Sequence, residues 1–183
     1  AYQLDPTAPV SSSAPVREVY AKKFGGADRA DKIIAQLTET AALDGIEFRM
    51  DIGQRSNTIL AHRLMWWTGV NHDYEVQSRL KENLLNAYFT NGINVGDSEE
   101  LISIGVHTIP HDSDDLEFAE FLRAFFASDA GKGEVAEELA TAVSHGITGV
   151  PTYVINGQWS IPGAQDSETF ERVLRRTAER MGT

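Results

Sequence analysis

The stretch "GITGVPTYVINGQWSIPGAQ", residues 146–165, decides the fold. Two short runs of strand-forming residues, "PTYVI" and "QWSIPG", flank Asn156-Gly157. That pair is the strongest two-residue hairpin signal, because a type I′ turn needs positive φ at both central positions. Pro151 heads the first run and takes a hydrogen-bond donor away from a sheet. A proline at the first residue of a strand is tolerated where its N–H is not needed, which reads as an edge device. The other reading is a cis Val150–Pro151 bond of the kind that folds place in tight turns. A cis bond there would turn the Val150 backbone outward, free to pair with an extended peptide as an added strand. The residues alone favour the edge device and leave the second reading open.

Outward from the hairpin, the period changes to helical on both sides. Phe170, Val173, Leu174 and Met181 line a final amphipathic helix, and Val135, Leu139 and Val143 line a helix from about Lys132 that stops at Gly146. Further upstream, 16–24 and 28–43 read as helices. The second carries Ile33, Ile34, Leu37 and Ala41 on one stripe, with Gly45 as its stop. "IEFRM", 46–50, alternates and fits a strand or an extended loop. Asn57 is placed to cap "TILAHRLMWWTG", and Val76, Leu80, Leu84 and Tyr88 mark a further helix. Asp97 with a carboxylate three residues later has the layout of a capping box ahead of Leu101 and Ile104. Phe118, Phe121, Leu122, Phe125 and Phe126 form an aromatic stripe at helical spacing, which reads as core. At the start, "AYQLDPTAP" holds a few strand-like residues that stop at Asp5-Pro6, and a Pro/Ser/Ala-rich linker runs to about Pro15. The layout is strand, long helical block, helix, hairpin, helix.

Composition narrows the chemistry. The 183 residues are 42% hydrophobic and carry a net charge of -11, spread along the chain. Such a surface repels phosphate backbones and anionic lipid, so neither nucleic acid nor membrane is an expected partner, and no apolar run is long enough to span a bilayer. There is no cysteine, hence no thiol nucleophile and no thiolate zinc site within these residues. His107 and His111 are four apart and followed by Asp112, Asp114 and Asp115, but Pro110 argues against one helix face holding both rings, and no metal site is expected. Ser144-His145 is adjacent only in sequence, which does not make a nucleophile and base converge. His62, among apolar neighbours, reads as a core histidine.

Taken together, "GITGVPTYVINGQWSIPGAQ", "QLDPTAP" and "NTILAHRL" resemble the DsbA-like thioredoxin-fold oxidoreductases, specifically the FrnE-type branch, in the family's order and over nearly the whole chain. The resemblance implies an α/β thioredoxin-like fold with a large all-helical insertion domain. Residues 1–12 and 146–183 would belong to the thioredoxin-like domain and 13–145 to the insertion. It implies that Gly149, Val150, Pro151 and Thr152 form the substrate-binding cis-proline turn, and that Asn57 and His62 lie on an insertion helix near the same cleft. It also implies a strand, a Cys-x-x-Cys motif at a helix N-terminus, and that helix, all upstream of Ala1. The first strand of such a sheet is central, so the expectation is a longer polypeptide. The implied activity is thiol–disulfide exchange on a disulfide- or dithiol-containing protein or peptide, or on glutathione, with no cofactor and in the cytoplasm. Two alternatives stand beside it. One is a glutathione-binding enzyme of the kappa-type transferase and 2-hydroxychromene-2-carboxylate isomerase branch; the other is a peptide-binding or chaperone-like module that keeps the groove without the thiols.

Overall fold

The computed structural model describes residues 1–10 and 12–182; Ser11, within the expected linker, lies outside the described residues. Two short strands, β1 (Ala14–Pro15) and β2 (Gln54–Arg55), pair antiparallel and bring the entry of α1 (Val16–Phe24) against the segment after α2 (Ala27–Leu43). Gly25 at φ 85° closes α1 in the left-handed conformation that costs a residue without Cβ nothing, so α2 can begin two residues later. Arg17 of α1 and Asp31 of α2 form a bidentate pair at 2.6 and 2.8 Å. The alternating segment 46–50 is not a strand. Arg49 N–H donates to the Phe89 carbonyl at 2.7 Å, and Phe48 stacks on Phe89 with centroids 4.6 Å apart.

Four helices then build the main core: α3 (Ile59–Asn71), α4 (Tyr74–Phe89), α5 (Ser98–Thr108) and α6 (Asp115–Ala127). Each supplies a leucine that is fully removed from water, Leu64, Leu80, Leu101 and Leu122. At about 1.5–3 kcal/mol per buried leucine, this shared cluster outweighs the individual helix propensities. Aspartates start three of these helices: Asp73, Asp97 and Asp114 each accept first-turn N–H groups. At Asp97 only half of the expected capping box forms. Its carboxylate takes the N–H groups of Glu99 and Glu100, while its own N–H, which the Glu100 carboxylate would accept in a full box, donates to the Asn94 carbonyl at 3.0 Å. Residue 57 is also displaced from the expected cap. Thr58 occupies the N-cap position of α3, and the Asn57 carboxamide bonds the Ile59 N–H from one residue earlier.

By its internal contacts the chain divides into two compact units, the first comprising Ala1 and Gln3–Leu139, the second Tyr2 and the chain from Ala140 onward. Helix α7 (Lys132–Ser144) contributes to both, with Val135 buried in the first and Ala142 in the second. The second unit is otherwise a hairpin, β3 (Thr152–Ile155) and β4 (Trp159–Pro162), with α8 (Ser167–Met181) after it. The register sets Thr152 opposite Pro162 and Ile155 opposite Trp159. Asn156 and Gly157 turn the chain at φ 49° and 67°, and Gln158 N–H closes the turn on the Ile155 carbonyl. Asp166 caps α8 by accepting the Thr169 N–H at 2.7 Å, and Phe170 meets Tyr153 edge-on at 4.8 Å.

Residues 2–4, expected to begin as a strand, are not one in the structure. A strand exists only where another strand pairs with it, and among the described residues β3 has β4 as its one strand partner. The turn expected at Asp5 does form: the Asp5 carboxylate accepts the N–H and hydroxyl of Thr7, and the Ala8 N–H bonds the Asp5 carbonyl.

Candidate functional site

The turn that leads into β3 presents main chain rather than a catalytic side chain. Between α7 and β3, residues 146–151 have no helix or sheet of their own, and local bonds hold their shape. Thr152 Oγ1 donates to the Gly149 carbonyl at 2.7 Å, and Gly163 N–H donates to the Pro151 carbonyl at 2.8 Å. The Val150–Pro151 peptide bond between these anchors is cis. Because the Pro151 carbonyl faces β4, alternation along an antiparallel ladder turns the N–H and C=O of Thr152 and Val154 to the other edge of β3. Among the described residues no strand covers that edge. Val150 is 57% exposed, and no described residue bonds its N–H or its C=O.

Apolar surface accompanies the open edge. Tyr153 and Val154 are each a little under half exposed, and Leu174 on α8 is half exposed. The stripe of α8 that holds Phe170, Val173 and Leu174 is strongly amphipathic, but in this unit Ile161, Ala142 and Thr177 are the residues it buries well. On the hairpin face that carries Thr152, Ser160 and Pro162, a concavity of about 160 Å³ opens, bounded by His145, Gly149 and Val150. The arrangement offers an extended chain two unpaired main-chain groups, an adjoining strand edge and apolar contacts. Edges of this kind are what proteins otherwise protect.

Asn57 and His62, expected near the same cleft, are carried by the first unit. Asn57 is 4% exposed and its amide is engaged three times: the oxygen accepts from Gln3 and from Ile59 N–H, and the nitrogen donates to the Ala8 carbonyl. It ties the N-terminal segment to the start of α3. His62, one turn into α3, is half-buried. His107 and His111 serve different neighbours, His107 Nδ1 donating to the Ser103 carbonyl and His111 Nδ1 to that of Ser113. Ser144 turns its hydroxyl back to the Thr141 carbonyl at 2.9 Å.

Sequence reasoning passed over Arg63. It is 2% exposed, with no carboxylate in ion-pair range among the described residues. Its guanidinium donates instead to the carbonyls of Phe125, Phe126, Ser128 and Ala130 at 2.8–3.3 Å and lies 5.0 Å from the Phe125 ring centre. Those carbonyls sit where α6 ends; that of Phe125 also accepts from Ser128, while the other three would otherwise lack a donor among the described residues. Burial lowers the Arg63 pKa, and the Asp129 charge opposes the shift.

Comparison with known proteins adds the context. A family model described as a DSBA-like thioredoxin domain matches residues 1–175. Among solved structures, a probable DsbA oxidoreductase from Streptomyces coelicolor matches with a TM-score of 0.83 at 25% sequence identity, over 96% of this chain and 72% of that chain. No curated protein matches.

Proposed function

The chain belongs to the DSBA-like thioredoxin domain family, and from that premise we propose that it supplies the substrate-facing turn and the helical insertion of a thiol–disulfide oxidoreductase of the FrnE type. In this reading the dithiol is a Cys-x-x-Cys upstream of Ala1; residues 1–183 contain no cysteine. The solved relative extends beyond the matched region, which covers 72% of its chain. The observation that carries the reading is the unpaired main chain of Val150 beside the open edge of β3.

In this proposal the substrate is a disulfide- or dithiol-containing protein or peptide. Its extended segment lies along the turn at Gly149, Val150, Pro151 and Thr152, with main-chain hydrogen bonds giving affinity across varied sequences. The first cysteine, as a thiolate at a helix N-terminus, attacks one sulfur of the substrate disulfide; a mixed disulfide forms and the other substrate sulfur leaves as thiolate. The second cysteine then attacks the mixed disulfide, releasing the substrate as a dithiol and leaving the enzyme disulfide. Two electrons have passed to the substrate; the reverse sequence oxidises it. Binding along Val150 holds the chain so that the attacked sulfur faces the thiolate. The open edge of β3 and the apolar stripe of α8 receive the upstream strand and helix, which leaves the Val150 main chain to the substrate.

Insulin reduction by dithiothreitol, followed by turbidity on the polypeptide that includes its native upstream residues, tests the reading. Turnover that disappears when the first upstream cysteine becomes serine is the expected result. A serine at that position in the native chain, with glutathione binding and no insulin reduction, would replace the proposal with the glutathione-dependent isomerase reading. Peptide binding without turnover would replace it with the chaperone-like one.

A further inference from the structure

The first unit carries a second concave site, which the proposed thiol chemistry leaves unused. Between the C-terminal end of α3 and the start of α6, Trp67, His72, His111, Phe118 and Phe121 line a cavity of about 380 Å³, within the range of small-molecule sites, and the His72 ring stands edge-on to Trp67 at 5.6 Å. The rings of Trp67 and Phe121 stand 5.3 Å apart and inclined at 52°, forming a corner. Phe118 and Phe125, one turn to either side on α6, are buried, but Phe121 is 47% exposed. Phe121 stacks on Phe118 with centroids 5.8 Å apart, and core packing leaves its exposed half unexplained.

Along residues 107–122 the fixed charge has one sign. Glu117 lines the cavity, Asp115 Oδ1 is 3.7 Å from His111 Nε2, Asp112 and Asp114 belong to the same loop, and no lysine or arginine occurs from 107 to 122. The carboxylates of Asp114, Asp115 and Glu117 offset the positive end of α6. His111 packs flat on Phe118 at 4.2 Å and closes one wall. Aromatic faces carry negative electrostatic potential and attract a weakly hydrated cation lying within about 6 Å of the ring centre. A small inorganic cation keeps its water and finds too few oxygen ligands here. A quaternary ammonium group has a diffuse charge and an apolar shell, and it matches both the rings and the carboxylate.

We infer that the Trp67–Phe121 corner, with Glu117 at its rim, binds the alkylated ammonium group of a small molecule. The test is a titration of the full chain with choline at constant ionic strength, following the Trp67 indole N–H resonance by NMR. The neutral isostere 3,3-dimethylbutan-1-ol, titrated in parallel, separates charge from shape. The expected result is saturable movement of that resonance, with the isostere binding about fivefold or more weaker. Phe121→Leu, which keeps an apolar side chain at a half-exposed position, lowers affinity by a similar factor, and Glu117→Gln lowers it about threefold. Thermal melts of both variants confirm that the fold persists. Equal binding of choline and the isostere, a shift that never saturates, or unchanged affinity in Phe121→Leu would each overturn the inference. All of these readouts are independent of insulin reduction, so failure here leaves the oxidoreductase reading in place.

Discussion

Replacing Arg63 by methionine keeps most of the apolar stem and removes the guanidinium. Five hydrogen bonds to four carbonyls disappear. The Phe125 carbonyl retains the N–H and hydroxyl of Ser128, so those of Phe126, Ser128 and Ala130 lose the contacts that matter. These three are only part-buried, so water replaces some of the lost donation and each costs about 1 kcal/mol, the low end of the range for a buried carbonyl. Three of them, less the desolvation the arginine no longer suffers, give a loss of about 2–3 kcal/mol. That is a large share of the stability of an ordinary domain. Arg63→Lys keeps the charge but presents a compact ammonium that reaches fewer of these carbonyls, and it should cost about half as much. Urea unfolding followed by circular dichroism is the assay. With a slope of about 1–3 kcal/mol per molar, Arg63→Met should lower the midpoint by about 1 M at unchanged slope. A loss below about 1 kcal/mol, or a lysine variant as stable as the parent, would refute the claim that the fork holds the end of α6.

At Gly92, φ is 66° and a Cβ would lie 2.8 Å from the Ile52 carbonyl oxygen; Gly92→Ala therefore combines left-handed strain with a backbone clash and should cost about 2–4 kcal/mol in the same urea assay. Acid should weaken the fold through carboxylates held below their ordinary range: Asp31 by its hydrogen bond from Arg17, Glu99 by that from Arg123, Asp166 by the Thr169 N–H. Their folded pKa values are depressed, so their contribution is present above the unfolded value near 4 and is lost as pH falls through the folded values. Urea midpoints from pH 6 to pH 2 should decline below about pH 4, and Asp166→Asn should flatten part of that decline. Asn156→Val places a β-branched residue at φ 49° and should lower the melting temperature of the second unit, measured by Trp159 fluorescence in a Trp66→Phe, Trp67→Phe background.

Where one local rule governed, the sequence was a sufficient guide. Asn156-Gly157 turns with both φ values positive because no other pair does so at so little cost. Apolar residues three and four apart marked α1, α2 and α4–α8 because a helix face must be buried somewhere. What escaped notice depends on partners distant in the chain. Arg63 reads as a solvated charge until the end of α6, more than sixty residues later, is folded against it. β1 and β2 are two residues each and pair across about forty positions, too short for any periodic signal. Asn57 reads as a helix cap and is also a strap for Gln3 and Ala8. Residues 2–4 have strand-forming side chains, but pairing belongs to two strands at once. At the site, the motif Gly149-Val150-Pro151 was visible. The unpaired Val150 main chain and the open outer edge of β3 required the hairpin register.

The most direct test of the substrate-facing role of that turn is amide hydrogen exchange at Val150 in the polypeptide carrying its upstream residues, free and then trapped as a mixed disulfide with a cysteine-containing peptide. Pairing of the peptide with the Val150 main chain should slow exchange at that amide by about tenfold or more, while protected amides of the α3–α6 core stay as they were. Unchanged exchange at Val150 in the trapped complex, with slowing confined to other surfaces, would contradict the account.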